Sequence, residues 1–152
     1  MKPSQKCFDL IKKFEGFKDK AYLCPAGVPT IGFGSTMWTD GSRVRLGQTI
    51  TMDGAQKLLA YYLVNVLHFI PENVNQNQFD SLCSFIYNVG VSNFRKSTLL
   101  KKVKENPDRL DIRDEFMKWT LARKNGQLVQ LPGLVKRRQA EADLYFQQVK
   151  ES

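Results

Sequence analysis

The chain has 152 residues, 42% of them hydrophobic and 25% charged, with no internal repeat or low-complexity tract. That is enough chain to close a hydrophobic core and too apolar for a disordered one. Its apolar runs fall far short of a bilayer span, and residues 1–8 lack the apolar stretch of a secretory signal. The net charge of +8, with a pI near 9.5, points to a polyanionic partner or to a solubilising surface. Nucleic acid is not the expected partner, because zinc-finger spacing, RNP-like aromatic strands and phosphate-cradling loops are all missing.

A first helix is predicted over residues 4–15, where Cys7, Leu10, Ile11 and Phe14 recur at i, i+3, i+4 and i+7. Glu15 closes that face and Gly16 stops the helix. β-forming residues between Gly27, Gly32 and Gly34 then predict a short, sharply bent antiparallel hairpin. Residues 38–42 read as a polar turn. Thr51 is placed to cap the next helix, whose apolar stripe runs through Ala55, Leu58, Leu59, Tyr62, Leu63, Val66 and Ile70 until Pro71. Asn75 and Gln78 have capping-box spacing. Phe79, Leu82, Cys83 and Ile86 mark the helix after them as the central core helix, closed by Gly90. A short helix over about 93–104, a break at Pro107, a helix carrying Ile112, Phe116 and Trp119, and a turn at Asn125-Gly126 follow. The stretch 120–131 reads as a small hairpin or a loop. The last helix is predicted from Pro132 to about Gln148.

That last helix carries a charge on its apolar stripe. Arg138 falls among Val135, Ala142, Tyr145, Phe146 and Val149, whereas Arg137 points about 120° from the stripe's centre. A charge on a buried face needs a partner or must snorkel to water. Glu15, also at the end of a buried face, is the expected partner of Arg138. The three cysteines, Cys7, Cys24 and Cys83, show no CxxC spacing and no nearby histidine, which argues against a disulfide framework or a zinc site. Cys7 and Cys83 read as small core residues. The single histidine, His68, reads as packed or surface, so a Ser-His-Asp or Cys-His enzyme is disfavoured.

By spacing alone, a glutamate at a helix end is more often solvated than catalytic. However, Glu15, then Cys24, then Thr30 in Thr30-Ile31-Gly32-Phe33-Gly34 resemble the active-site signature of the bacteriophage-type lysozymes, family 24 of the glycoside hydrolases. The resemblance extends in order through residues 48–51, 77–82, 87–90, 94–100 and 131–141. It implies an α+β, mostly helical, two-lobed fold in a single domain, 1–152. The small β-containing lobe would cover about 17–50, the connecting helix about 51–70, and the helical lobe 1–16 and 71–152. It further implies a muramidase that cleaves the β-1,4 bond between N-acetylmuramic acid and N-acetylglucosamine in peptidoglycan, without metal or organic cofactor. The implied partner is a peptidoglycan glycan strand met by a monomer, with no nucleic acid and no stable membrane insertion. The expected location is the host cytoplasm until release to the periplasm and cell wall, with dependence on a holin left open. A chain starting fourteen residues before the acid is equally consistent with a precursor trimmed of a signal-arrest-release helix.

Glycoside hydrolysis needs a proton donor for the leaving oxygen and a group that delivers water to the sugar carbon. Glu15 is expected as the acid, with burial raising its pKa and Arg138 opposing the rise. The hydroxyl of Thr30 is expected to hold water. At position 24 the chain departs from the family, which usually has aspartate there. A thiol of ordinary pKa beside a glutamate is expected to be pushed up and to be a poorer base. Cys24 as base, as nucleophile or as dispensable all stay open, with Asp19 as a substitute. Ser35 stands where many relatives have histidine. By resemblance, Gly32, Phe33, Tyr87 and Asn88 are supporting or substrate-contact residues, although Gly32 and Phe33 also have simple structural readings. Two rivals remain: a lytic transglycosylase in which Glu15 acts alone, and a non-catalytic, basic wall- or membrane-binding protein.

Overall fold

The computed structural model describes residues 1–149; the last three positions of the expected 1–152 domain lie outside the described residues. It is α+β and mostly helical, with two small antiparallel hairpins among the described residues. The chain divides into two units, Ile11–Asn65 and Met1–Leu10 with Val66–Ser152. The first helix, α1 (Gln5–Glu15), begins in the second of these and ends in the first.

In the Ile11–Asn65 unit, β1 (Lys18–Leu23) pairs antiparallel with β2 (Pro29–Gly32), with an irregular register between Lys18 and Tyr22. Such a bulge bends the ribbon sharply. Ile31, Val44 and Leu58 form its core, against which Ala21, Trp38 and Ile50 pack. Trp38 donates its indole N–H to Gln48 at 2.9 Å. Thr51 accepts the Gly54 N–H at 3.0 Å, as expected of a cap for α2 (Met52–Val66). Tyr62, expected on the buried stripe, remains 39% exposed. The α-helix also stops before Ile70. A single 3-10 turn, Leu67–Phe69, follows, because Pro71 forces Ile70 into extended backbone with ψ at 130°.

In the other unit, α3 (Gln76–Val89) starts on the expected capping box, with both reciprocal Asn75–Gln78 bonds formed, and ends at Gly90 with φ at +91°. Residues 77–86 are all buried, so this helix is the core of its unit. The single helix predicted over 93–104 is two, α4 (Val91–Lys96) and α5 (Thr98–Glu105). Ser97 divides them: its hydroxyl donates to the Phe94 carbonyl at 2.7 Å and accepts the Leu100 N–H at 3.1 Å. Trp119 lies beyond the end of α6 (Ile112–Met117), with its ring edge-on to Phe85. The stretch 120–131 is a hairpin, β3 (Leu121–Lys124) with β4 (Gln127–Gln130), turning through positive φ at Asn125 and Gly126. The last helix, α7 (Pro132–Phe146), has Pro132 in its first turn and packs on α3 and α6.

Between α5 and α6, Lys102 reaches Asp111 at 3.0 Å and Glu115 at 2.8 Å, and Lys118 adds a 2.9 Å contact to the buried Glu115. Burial alone would raise the Glu115 carboxyl, but the hydrogen bonds and charges of the two lysines hold it below its usual 4.5. Arg109 and Lys102 hold Asp111 below 3.8. Both carboxylates therefore stabilise the fold fully above those ordinary values and lose the contribution as pH falls through the lower folded-state values. Lys102→Met should melt several degrees below wild type at about pH 7 and close most of that gap near pH 2. Thermal melts across this range test it.

Candidate functional site

Glu15, Cys24 and Thr30 all lie in the Ile11–Asn65 unit. Glu15 is the last residue of α1 and is half-buried; the helix stops there because Gly16, at φ +69°, donates back to the Lys12 carbonyl at 3.0 Å. Cys24 opens the turn between β1 and β2, which the Cys24 N–H to Val28 carbonyl bond closes at 3.0 Å and the Gly27 N–H to Cys24 carbonyl bond tightens at 2.8 Å. Inside this turn the backbone N–H groups of Val28, Ala26 and Gly27 and the hydroxyl of Thr30 are aimed at the Cys24 sulfur. They hold its pKa below the usual 9.0, with the Val28 amide contributing most and partial desolvation opposing.

This reverses the expectation that a neighbouring glutamate would push the thiol up. Hydrogen bonds that favour the thiolate outweigh its partial desolvation. Thr30 is 4% exposed and also donates to the Val28 carbonyl at 2.9 Å. Its single proton serves one acceptor at a time.

Tyr22, to which no role was assigned from sequence, pairs directly across the hairpin with Thr30. Its phenol is raised above 10.0 by burial and then by the charges of Glu15 and Cys24. The phenol therefore lies within electrostatic range of both the acid and the thiol. The signal that could have found Tyr22 is its place in the β-forming run just before Cys24, two residues from it. Asp19 is exposed, and its backbone carbonyl accepts the Ile50 N–H at 2.9 Å. Ser35 is buried and exchanges both backbone bonds with Ile31, at 2.8 and 2.9 Å.

Gly32 sits at φ +67°, and a Cβ there would stand 3.1 Å from that of Ala55. Glycine is what lets the hairpin meet α2 so closely. Phe33 is buried, tilted against Phe17 at 5.5 Å, with the Lys12 ammonium over its ring. Both residues thus have structural duties. His68 is exposed and stacked on Phe69 with ring centroids 4.1 Å apart.

The other unit holds Arg138, Tyr87 and Asn88. Arg138 is fully buried, donates to Glu141 at 2.5 Å, reaches the Asn88 side-chain carbonyl, and lies 5.0 Å over the Phe85 ring. Tyr87 is half-buried on α3. Arg137, expected to point away from the buried face, is buried too. It donates to Glu141 at 3.3 Å and to the Ser84 carbonyl at 3.1 Å. Glu141 also accepts the Ser84 hydroxyl at 2.6 Å. Its burial pushes the carboxyl above 4.5, against the pull of Arg138, Arg137 and Ser84. Sequence reasoning missed Glu141, although it stands at i+3 and i+4 from the two arginines, the spacing of helical ion pairs. Among the described residues no group of histidine, cysteine and acidic side chains could hold a metal ion.

Comparison with known proteins decides the family: residues 12–141 match the phage lysozyme model. The chain belongs to the phage lysozyme family. An endolysin of Acyrthosiphon pisum secondary endosymbiont phage 1 is 40% identical over 146 residues, 93% of this chain and 96% of that relative. An endolysin from Escherichia coli O157:H7 phage FAHEc1 superposes with a TM-score of 0.88 at 33% identity, covering 100% of this chain and 98% of that one. The muramidase domain of SpmX from Asticaccaulis excentricus gives a TM-score of 0.84 at 31% identity, covering 97% and 99%.

Because Cys7 and Cys83 are fully buried, alkylation by iodoacetamide should report on Cys24 in this phage lysozyme. The rate should rise with a midpoint below 9.0. Thr30→Val should move that midpoint upward, since a donor to the thiolate is lost. Mass-resolved alkylation across pH measures both.

Proposed function

We propose that Glu15 is the general acid of a lysozyme-class glycoside hydrolase acting on peptidoglycan, and that Cys24 and Thr30 deliver the water. Family membership supplies the reaction class: hydrolysis of the β-1,4 bond between N-acetylmuramic acid and N-acetylglucosamine. The observation that supports the residue roles is the hydrogen bonding that the backbone of residues 26–28 and the Thr30 hydroxyl offer Cys24, beside a Tyr22 phenol that senses both Cys24 and Glu15. Protonated Glu15 gives its proton to the glycosidic oxygen as that bond breaks. Thr30 holds a water beside the sugar carbon, and the Cys24 thiolate takes a proton from it as it attacks. A thiolate favoured by hydrogen bonds from the turn takes the part that the family resemblance gives to a carboxylate.

Arg138 belongs to this proposal as the cation that tunes the acid, and Gly32, Phe33, Tyr87 and Asn88 as supports or contacts of the glycan. The endolysin relatives support a role in phage lysis; the proposal takes the enzyme to act as a monomer on the wall after release from the host cytoplasm, aided by a holin. Position 24 lacks a carboxylate, and this favours one second reading: a lytic transglycosylase in which Glu15 serves as acid and then base.

Turbidity loss of outer-membrane-permeabilised Gram-negative cells tests the roles in variants whose circular dichroism is unchanged. Glu15→Gln should lose activity about a thousandfold or more, Cys24→Ala should lose about 10²–10⁴-fold, and Cys24→Asp should remain active. Cys24→Ala with full activity, or released muropeptides ending in 1,6-anhydromuramic acid, would sink the hydrolytic role of the thiol. Arg138→Met, provided its circular dichroism is unchanged, should lower the rate of lysis in the same assay. If only Arg137→Met does so, the assignment belongs to Arg137.

A further inference from the structure

Two thiols that the proposed mechanism does not use face each other inside the larger unit. Cys7 on α1 and Cys83 on α3 are both fully buried and free, and Cys83 is the neighbour that most strongly raises the Cys7 thiol. Their approach is fixed by the register of the two segments. Gln76 donates to the Lys2 carbonyl at 2.8 Å, and Asp80 accepts the Ser4 N–H at 2.9 Å and the Ser4 hydroxyl as well. Three residues further along each chain stand Cys7 and Cys83. In a helix, residues at i and i+3 share a face. The Ser4–Asp80 contact therefore carries the two cysteines onto each other one turn later. Lys6 adds a 3.5 Å contact to Asn77 on the same side.

We propose that Cys7 and Cys83 are a modification site: a dithiol that closes to a disulfide when the protein meets a disulfide oxidant such as oxidised glutathione. One cysteine thiolate attacks the glutathione disulfide, and one glutathione leaves as its thiolate and takes up the proton. The second cysteine thiolate then attacks the mixed disulfide at the protein sulfur and expels the second glutathione. Two protein thiols are oxidised, one glutathione disulfide is reduced to two thiols, and the protein keeps one S–S bond. The nearby Cys83 and the burial push the Cys7 thiol far above its usual range, so the closed state is protonated and slow to react. Exchange runs through transient openings of α1, and the native register then selects the pair.

The bond would tie the start of α1, the helix that ends in Glu15, to the central helix of its unit. It would act where disulfides persist, outside a reducing cytosol. It is independent of how Cys24 acts, because Cys24 is not one of the bonded sulfurs.

The test uses the full-length wild-type protein. It is equilibrated with an oxidising ratio of oxidised to reduced glutathione through cycles of partial unfolding in dilute urea, then quenched with a maleimide in strong denaturant, so that every free thiol is capped, and mapped by mass spectrometry. The expected result is a linked Cys7–Cys83 peptide, no maleimide at either position, and a melting temperature about 5–10 °C above that of the reduced protein. Dithiothreitol should reverse all three. Cys83→Ala should abolish the thermal gain on oxidation, and the peptide map of the wild type stands whether or not that variant folds. Free or glutathione-capped thiols at both positions after equilibration, or a linked peptide containing Cys24, overturns the proposal. Lysis assays on the reduced protein stand apart from this result, so a failure of the lysozyme mechanism and a failure of the disulfide are distinguishable.

Discussion

The larger unit depends on a carboxylate withdrawn from water between two guanidinium groups. Glu141 and Arg138 have no exposed surface, and Arg137 almost none. Taking such charges from water costs several kcal/mol each, and only near-complete pairing offsets it. The pairing is supplied from both helices: the arginines come from α7, the Ser84 hydroxyl from α3, and the Ser81 hydroxyl accepts its place by donating to the Glu141 carbonyl at 2.5 Å. Removing one member would leave a buried charge uncompensated, at about 3–5 kcal/mol, a large part of a domain's total stability. The cluster thus fixes the register of α7 on α3 more narrowly than apolar packing does. The aromatic shell follows from that register, with Phe85 under Arg138 and Phe116 edge-on to both Phe85 and Tyr145.

The site in the smaller unit is built on a different physical basis. Around Cys24 the stabilisation comes from backbone dipoles in a tight turn, with no opposing charge at hydrogen-bond range among its causes. Amides at a turn are fixed by the fold and need no side-chain ordering, so they favour a thiolate without the entropy of bringing a lysine or arginine to it. A sulfur in such a cradle is tuned by turn geometry. This explains how a hairpin tip can favour a thiolate through its main chain.

The elements whose ends are marked by local chemistry were legible in the sequence. Thr51, the Asn75–Gln78 box, Gly90 and Asn125-Gly126 act within three residues of themselves, so their spacing is the whole signal. Ser97 is equally local but was passed over, because its two neighbouring helices continue one apolar pattern through Phe94, Leu99, Leu100 and Val103. Hydrophobic periodicity also sees only apolar residues. It found Phe79, Leu82 and Ile86 on α3 yet was blind to Asp80, Ser81 and Ser84, which are just as buried. For the same reason it placed Arg138 inside and Arg137 outside, when Glu141 draws both inward. At the site, the motif identified Glu15, Cys24 and Thr30, which the fold places in one unit. The direction of the Cys24 shift was not readable, since it depends on where the amides of residues 26–28 point.

The hydroxyl of Thr30 has two acceptors, the Val28 carbonyl and the Cys24 sulfur, and one hydrogen. Charge on the sulfur therefore sets a torsion angle: as the thiol ionises, the rotor about the threonine Cβ–Oγ1 bond swings toward it and the Val28 carbonyl gives up that donor. Val28 is the same residue whose N–H and carbonyl close the turn on Cys24. The protonation state of one side chain is in this way written into the hydrogen bonding of the main chain that holds it, and the hairpin tip exists in two electrostatic states distinguished by a single proton.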